Sequence, residues 1–226
     1  MAFDTTGVYA SLNPATMLWP RLITPEAFKK DGKPVGDPKY GGAFVFTPDH
    51  PDLSPLKGRA AAVAKGKWPG VEFGTIEWPI KSGDKMIAEN KAKHEADPTK
   101  FRLMSEDVVK FIAGKVVLQA RTKKQPSLGK MTAAGIVVLE GVTLDREKGI
   151  FYSGTDALFE INFWPNVGSK GEKYITAYLN AVVSYNKGAR IGGSGGPPLT
   201  ERFKGYAGHA TAEDPTAGTL DEEIPF

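Results

Sequence analysis

The stretch that decides the fold is Lys115-Val116-Val117-Leu118-Gln119-Ala120-Arg121. Its apolar residues Val116, Leu118 and Ala120 occupy every second position, and basic or amide side chains occupy most of the positions between them. Such alternation is typical of a β-strand with one face in the core. Only Val117 breaks the pattern. We therefore predict a strand that carries its basic residues on an outer face.

Further strands are predicted downstream of this stretch. Residues 157–164 alternate in the same way and predict a half-buried strand, and residues 136–139 form a β-branched run typical of a buried strand. Residues 174–185 fit both the strand and the helix period, but their aromatic and β-branched content favours a strand. The outer faces of the two alternating strands would carry these residues: Glu160, Asn162, Trp164, Tyr174, Thr176, Tyr178 and Asn180.

The N-terminal half contains signals for helices. Thr24-Pro25-Glu26 predicts the start of a one- or two-turn helix, whereas residues 43–46 predict a strand. Ser54-Pro55 repeats the helix start before an alanine-rich helix over residues 56–67, and residues 84–96 predict a second helix on the surface. Short strands interrupted by helices predict a mainly β protein, a small barrel with added helices.

Cysteine is absent from all 226 residues, which excludes disulfides, thiol catalysis, cysteine-based zinc sites and iron–sulfur clusters. The longest uninterrupted apolar stretches, residues 60–64 and 136–139, are far shorter than a membrane-spanning helix, so we expect no membrane association. Met1-Ala2-Phe3-Asp4-Thr5-Thr6 lacks the basic and apolar regions of a secretory signal. A cytoplasmic protein is therefore expected.

The common catalytic and cofactor motifs are missing from the sequence. His50, His94 and His209 lie far apart and lack partners at metal-ligand spacing. The glycines of residues 192–196 run into Pro197-Pro198 rather than into a helix N-terminus, so they cannot cradle a phosphate as a dinucleotide-binding loop does. We therefore expect no catalytic residue, no metal and no cofactor, and a protein that is not an enzyme.

Charge divides the chain into a basic body and an acidic end. The chain has 29 Lys and Arg and 26 Asp and Glu, and residues 213–226 contain five of the acidic residues and none of the basic ones. Residues 1–212 therefore carry a formal charge of +8 and residues 213–226 a charge of −5. A basic body indicates a polyanionic partner, and an acidic tail indicates a competitor for the same surface or a recruiter of basic proteins.

Basic and aromatic residues occur together on the predicted strands and next to them. Proteins that bind single-stranded nucleic acid track the phosphates with cations and stack the bases on aromatic rings. For each aromatic residue, packing in the core remains the alternative. The candidate residues for binding single-stranded DNA are Lys115, Arg121, Lys123, Lys124, Tyr152, Trp164, Tyr174, Tyr178, Tyr185, Lys187 and Arg190.

The sequence ends in Asp221-Glu222-Glu223-Ile224-Pro225-Phe226. Beyond residue 207 the chain is poor in apolar residues, which predicts disorder. The acidic end followed by Ile-Pro-Phe resembles the acidic tip of bacterial single-stranded DNA-binding proteins. That resemblance implies a docking peptide for replication or recombination proteins.

The body resembles the single-stranded DNA-binding proteins of tailed phages. The resemblance rests on residues 114–121, on Phe151-Tyr152-Ser153-Gly154, on Ile161-Asn162-Phe163-Trp164-Pro165, and on residues 179–182 through 188–193. It implies an OB fold, a five-stranded Greek-key barrel, with helical insertions and an N-terminal elaboration. The OB-fold DNA-binding domain would span residues 1–206 and the disordered acidic tail residues 207–226.

The resemblance also implies the function. The chain would coat single-stranded DNA without sequence specificity during phage DNA replication or recombination, as a monomer or dimer in the host-cell cytoplasm. Two alternatives stay open. One is a structural or interaction protein with a docking tail and no affinity for DNA, and the other is a nuclease or recombination enzyme that uses carboxylates.

Overall fold

The computed structural model describes residues 7–30 and 33–192, in which strands predominate. The strands are β1 (Val8–Ala10), β2 (Ala15–Lys30), β3 (Lys33–Phe46), β4 (Ile76–Glu77), β5 (Ile80–Ser82), β6 (Val116–Thr122), β7 (Ser127–Thr132), β8 (Gly135–Val138), β9 (Asp156–Val167) and β10 (Lys173–Ser184). The helices are α1 (Leu53–Lys67), α2 (Gly83–Ala96), α3 (Glu106–Ile112) and α4 (Gly141–Glu147), and short 3-10 turns occur at Phe73–Thr75 and Lys148–Ile150.

Five of the strands form a closed circuit. β2 pairs with β3, β3 with β6, β6 with β10, β10 with β9, and β9 returns to β2 through Ala15 opposite Ala157. All these pairings are antiparallel except that of β6 with β10, which is parallel. This circuit is an OB-like Greek-key barrel with helical insertions, so the predicted fold class is confirmed.

The barrel interior is filled by the apolar rows of its strands. On β9 every second residue from Ala157 to Phe163 is buried, as the sequence predicted. The rings of Phe44 and Phe159 stack at 4.3 Å between centroids, and Phe46 meets Phe159 edge-on at 5.9 Å. Leu118 and Ala120 of β6 complete this layer, so the alternation that predicted the strand marks the true core face.

A second apolar cluster covers part of the outer face of the barrel. Helices α2 and α3 place Met86, Val108 and Ile112 against Val45 of β3 and Val117 of β6. Val117 is fully buried there. It breaks the alternation because at this end of β6 both faces of the strand are covered, one by the barrel interior and one by helices.

An irregular segment joins β6 to β7 and displays side chains above the sheet. β6 and β7 run in the same direction beside β10, with Ala120 opposite Ala177 and Ser127 opposite Ala181. Between these two pairs the β6–β7 chain advances seven residues while β10 advances four. The excess residues leave the sheet, and Lys123 and Lys124 are among them.

The predicted helix at Thr24-Pro25-Glu26 is wrong, because these residues belong to β2. The register explains the difference. Arg21 lies opposite Gly41 and Glu26 lies opposite Lys39, so five residues of β2 face two of β3. A strand irregularity of this kind accommodates proline, which has no N–H to give to the ladder. Long-range pairing with β3 therefore overrides the local helix signal.

The predicted burial of residues 136–139 is also wrong for three of the four positions. These residues do form most of β8, but Ile136, Val137 and Val138 are 57%, 48% and 61% exposed, and only Leu139 is buried. β8 lies at the edge of the sheet, in a hairpin with β7, and no described layer packs over it. A buried strand and an exposed apolar edge strand have the same residue pattern.

The remaining predictions of elements are confirmed. Residues 43–46 end β3, the alanine-rich helix is α1 and ends before Trp68, and the surface helix is α2. Asp52 rather than Ser54 is the N-cap of α1. The segment that fitted both periods forms β10, a strand. The predicted tail, residues 207–226, lies outside the described residues.

Candidate nucleic-acid interface

The outer face of β9 and β10 is polar and aromatic. On β10, Ile175, Ala177 and Leu179 point into the core, so Tyr174 and Tyr178 point outward. The antiparallel register with β9 fixes their neighbours: Asn166 lies opposite Tyr174, Trp164 opposite Thr176 and Asn162 opposite Tyr178. The predicted outer rows are therefore correct for β9 and for β10 as far as Tyr178. Beyond it a bulge between Leu179 and Ala181 shifts the alternation by one residue, so that Val182 and Ser184 are buried.

An open groove of about 300 Å³ has four of the outward residues as one wall: Asn166, Tyr174, Thr176 and Tyr178. The end of β6 and the irregular segment after it form the other wall, where Arg121 is exposed and Lys123 and Lys124 stand above the sheet. β3 adds a further cation. The residues that line the groove are Lys39, Arg121, Thr122, Lys123, Lys124, Asn166, Tyr174, Thr176 and Tyr178.

Four of the nine lining residues are basic and none is acidic, so the groove attracts anions. One carboxylate stands beside it: Asp37 of β3 forms an ion pair with Lys123 of the irregular segment after β6. This pairing lowers the pKa of Asp37 and raises that of Lys123, in each case chiefly through their hydrogen bond. Both side chains are about two-thirds exposed, so an anion in solution can compete with Asp37 for Lys123.

Five of the eleven predicted DNA-binding residues line this groove: Arg121, Lys123, Lys124, Tyr174 and Tyr178. A sixth, Trp164, is next to it, because it lies opposite Thr176 and is 45% exposed. The groove therefore brings together the cations after β6 and the aromatic residues of β9 and β10. Basic and aromatic side chains are the two kinds that the sequence predicts for binding of single-stranded nucleic acid.

Four further predicted residues lie near the end of β10, away from the groove. The guanidinium carbon of Arg190 is 4.3 Å from the ring centroid of Tyr152, and the Tyr152 hydroxyl donates a hydrogen bond to the Gly188 carbonyl at 2.9 Å. Lys187 and Tyr185 belong to the same segment, and their backbone groups bond to Asp156. This part of the chain pins the end of β10 to the start of β9.

Two of the stretches that carried the family resemblance meet in this segment: residues 151–154 and the described part of residues 188–193. Gly154 has φ +106° and Gly188 has φ +117°, and a Cβ on either would collide with the backbone of the other loop. The Ile191 N–H donates to the Ser153 carbonyl at 2.9 Å, and the Trp19 N–H donates to the Ser153 hydroxyl at 2.9 Å. In this fold the two motifs therefore hold the loop before β9 against the segment after β10.

Lys115 is separated from the groove by the length of β6. It precedes the strand, about 20 Å along the chain from Arg121. Its Nζ lies 3.7 Å from the ring centroid of Phe111 on α3, and burial lowers its pKa. The eleven predicted residues thus occupy three places, of which the groove holds the most.

Sequence reasoning missed four of the nine groove residues as candidates: Lys39, Thr122, Asn166 and Thr176, the last of which it placed only on an outer face. Lys39 lies on the long β2–β3 hairpin, which was not predicted as a strand. Thr122 ends β6 beside Arg121. Asn166 follows Pro165 and lies beyond the predicted strand of residues 157–164, and its Nδ2 donates to the Thr176 hydroxyl at 3.0 Å. Asn166 is two residues beyond Trp164, so extending the alternation by one step would identify it as an outward residue.

In the described part of the chain, no three His, Cys, Asp or Glu side chains come together as a metal site. Nor does any helix there have the length and apolar content to cross a membrane. The partner-binding tip predicted at Asp221-Glu222-Glu223-Ile224-Pro225-Phe226 lies outside the described residues.

Comparison with known proteins finds similar solved structures but no matching sequence family. No family model matches the sequence, and no curated protein matches it. The structure is similar to that of the single-stranded DNA-binding protein from bacteriophage Enc34 in complex with ssDNA, with a TM-score of 0.58 and 18% identity over 82% of this chain and 89% of that one.

The same phage protein solved in other forms gives similar values. The form described without DNA has a TM-score of 0.57 and 18% identity over 88% of this chain and 90% of that one. A C-terminal truncation has a TM-score of 0.56 and 19% identity over 82% and 88%. At these identities the likeness shows a shared OB-like fold.

Proposed function

We propose that the chain is a single-stranded DNA-binding protein that coats exposed strands during phage DNA replication or recombination, without sequence specificity and without catalysing a reaction. The observation that carries the proposal is the groove, where four cations face a row of aromatic residues on the outer face of a barrel. The similarity to a phage protein described in complex with ssDNA supports the same function.

The groove offers one kind of contact for each part of a nucleotide. Arg121 and Lys124 would neutralise phosphates, and Tyr178 would stack with a base. Because every base has an aromatic face, stacking does not select a sequence. The groove also borders β3 and β6, the second and third strands of the barrel circuit, which is where OB folds bind oligonucleotides.

The acidic tail would regulate this binding. Residues 213–226 carry a charge of −5 and contain no basic residue, so they are attracted to the same cations as a phosphate chain. In the free protein the tip would compete with DNA, and once DNA occupies the groove the tip would be available to replication or recombination proteins. The host-cell cytoplasm is the place where such a protein would act.

Fluorescence anisotropy with a labelled 30-mer oligo(dT) and a matched duplex tests the DNA-binding proposal. The expected result is tight binding to the single strand in preference to the duplex, with log K falling against log salt at a slope of roughly −0.7 for each phosphate neutralised. Strands incubated with protein and magnesium should stay intact. No binding at low salt would refute the proposal, and magnesium-dependent cleavage would indicate a nuclease.

Deletion of residues 213–226 tests the role of the tail. The truncated protein should bind oligo(dT) more tightly than the full chain at low salt, and the difference should shrink as salt screens the competing charges. Equal or weaker binding by the truncated protein would refute competition by the tail while leaving the DNA-binding proposal intact.

A further inference from the structure

The β7–β8 hairpin ends in an apolar edge strand. β8 pairs with β7 on one side, and within residues 7–30 and 33–192 no strand pairs with its other side. Its three apolar residues, Ile136, Val137 and Val138, are each about half exposed or more. Proteins commonly protect such edges with charges, prolines or covering segments, because an open edge pairs readily with another strand.

The hydrogen bonds of β8 show which backbone groups remain for a further partner. The Leu139 N–H donates to the Leu128 carbonyl of the β7 side at 2.8 Å, so position 139 bonds inward. In an antiparallel pair, inward and outward positions alternate. Val137 therefore also bonds inward, and Ile136 and Val138 direct their N–H and C=O groups outward.

The hairpin carries no charge where a second hairpin would meet it. Residues 131–139 contain no Asp, Glu, Lys or Arg, in a chain of which 24% is charged. Lys130 borders this segment, and its Nζ is held by Glu147 of α4 at 2.9 Å. Close to a twofold axis a residue lies near its own copy, so a charge in this short segment would stand near the same charge of the partner and be repelled. Two copies of this edge can therefore meet without bringing like charges together.

We propose that β8 pairs with β8 of a second copy of this chain, antiparallel and about a twofold axis at Val137. In this register Ile136 lies opposite the partner's Val138 and Val138 lies opposite the partner's Ile136. All the outward N–H and C=O groups of both residues are then used, in four hydrogen bonds. Val137 faces the partner's Val137 at the close spacing of a non-hydrogen-bonded pair, about 4.5 Å between Cα atoms.

Such a dimer would place both grooves on one side. The Ile136 side chain lies over Gly129 and next to Val183 of β10. Because the bulge between Leu179 and Ala181 shifts the alternation by one residue, and Val182 and Ser184 are buried, Val183 shares the outer face with Tyr178. A twofold axis perpendicular to the sheet keeps the two outer faces on one side. The two grooves would thus lie on one continuous surface and run in opposite directions.

Because the chain has no cysteine, introduced single cysteines test this contact without background. In the full-length protein without DNA, Val137→Cys should form a disulfide-linked dimer under mild oxidation, since a non-hydrogen-bonded pair has a Cα spacing within disulfide range. Leu103→Cys is the matched control, because Leu103 is 55% exposed and lies between α2 and α3. It should cross-link only at the slow rate of random collisions.

Three outcomes would overturn the proposal. Equal cross-linking of the two variants would mean collision rather than pairing. A Val137→Cys protein that stays monomeric yet reacts with a thiol reagent would mean an open edge with no partner. A Val137→Cys thiol that does not react would mean that another segment of the chain covers β8.

Sedimentation velocity supplies an independent measurement on a protein without cysteine. The wild-type chain should dimerise with rising concentration, and Val138→Lys should weaken dimerisation at least tenfold by placing two like charges near the axis. Val142→Lys adds the same charge at a residue of α4 that is 66% exposed and should leave the dimer unchanged. A wild-type chain that stays monomeric at every concentration would refute the dimer.

Discussion

The two ends of the outer face of the barrel differ in what covers them, although strand β6 runs through both. At one end of β6, Val117 is buried beneath α2 and α3. Four residues further along, Arg121 is exposed beside Tyr178 of β10, and no described helix covers them. The covered end is apolar on both faces, whereas the open end is apolar only toward the core.

The difference separates what stabilises the fold from what is available to a ligand. Helices α2 and α3 remove the apolar outer surface of β3 and β6 from water, which stabilises the protein. At the open end, Tyr178 and Trp164 keep 36% and 45% of their surface exposed in the midst of cations. We therefore expect that substitution of Ile112 lowers the stability of the fold and that substitution of Tyr178 weakens DNA binding.

The largest effect is expected from Ile112→Ala at the covered end. Ile112 is fully buried, so its truncation should lower the free energy of unfolding by about 2–5 kcal/mol. Urea denaturation followed by circular dichroism measures the change. The folded variant should keep its affinity for oligo(dT), and Leu103→Ala, at an exposed position, should change neither quantity. Loss of DNA affinity by folded Ile112→Ala would mean that the two ends are coupled.

The second effect is expected from Tyr178→Ala at the open end. Loss of one stacking platform should weaken oligo(dT) binding by about 1–3 kcal/mol, or roughly 5- to 150-fold, with little change in stability. Phe101→Ala is the matched control, because Phe101 is also 36% exposed but lies between α2 and α3. If both variants bind like the wild type, the aromatic row of β10 is not a stacking surface.

The third effect compares two basic residues at opposite ends of β6. Arg121→Ala should weaken oligo(dT) binding roughly fivefold at 0.1 M salt and reduce the salt slope by about 0.7, the value for one phosphate contact on a single strand. Lys115→Ala should leave affinity and slope unchanged, because Lys115 packs on Phe111 away from the groove. Equal losses in both variants would mean that DNA follows the whole of β6.

The sequence predicts those features of the fold that depend only on residues close together along the chain. Alternation identified the outward rows of β9 and β10, including Trp164, Tyr174 and Tyr178, because a strand repeats every two residues regardless of its partners. It could not show that Val117 lies under helices, nor that residues 136–138 lie at an exposed edge. Both facts depend on what packs against the strand, which alternation does not report.

The groove itself could be predicted only in part. Lys123 and Lys124 were named as basic residues near a strand, but they stand beside Tyr178 because β6–β7 contains more residues than β10 between two paired positions. Lys39 reaches the groove through the pairing of β3 with β6. Such registers are set by long-range contacts, and a one-residue shift would reverse every side chain.

The smallest effect is expected from Asp37→Asn, which sharpens the description of the open end. Asp37 is paired with Lys123, so a phosphate that binds this lysine must either displace the carboxylate or bind beside its negative charge. Removing the charge should tighten oligo(dT) binding about two- to fivefold at low salt, the scale of an exposed ion pair, and the gain should disappear at high salt. Anisotropy titrations at two salt concentrations measure it.

The pH dependence and a charge control decide whether this gain comes from Lys123. Because Lys123 holds the pKa of Asp37 below its ordinary value, the carboxylate stays ionised well below neutral pH. The gain should therefore be constant between about pH 5 and 8 and shrink only as pH falls below the ordinary carboxyl pKa toward the lowered pKa of Asp37. Glu95→Gln on α2 makes the same change in net charge away from the groove. If it tightens binding as much as Asp37→Asn does, the effect reflects net charge, and Lys123 makes no specific contact with the phosphate chain.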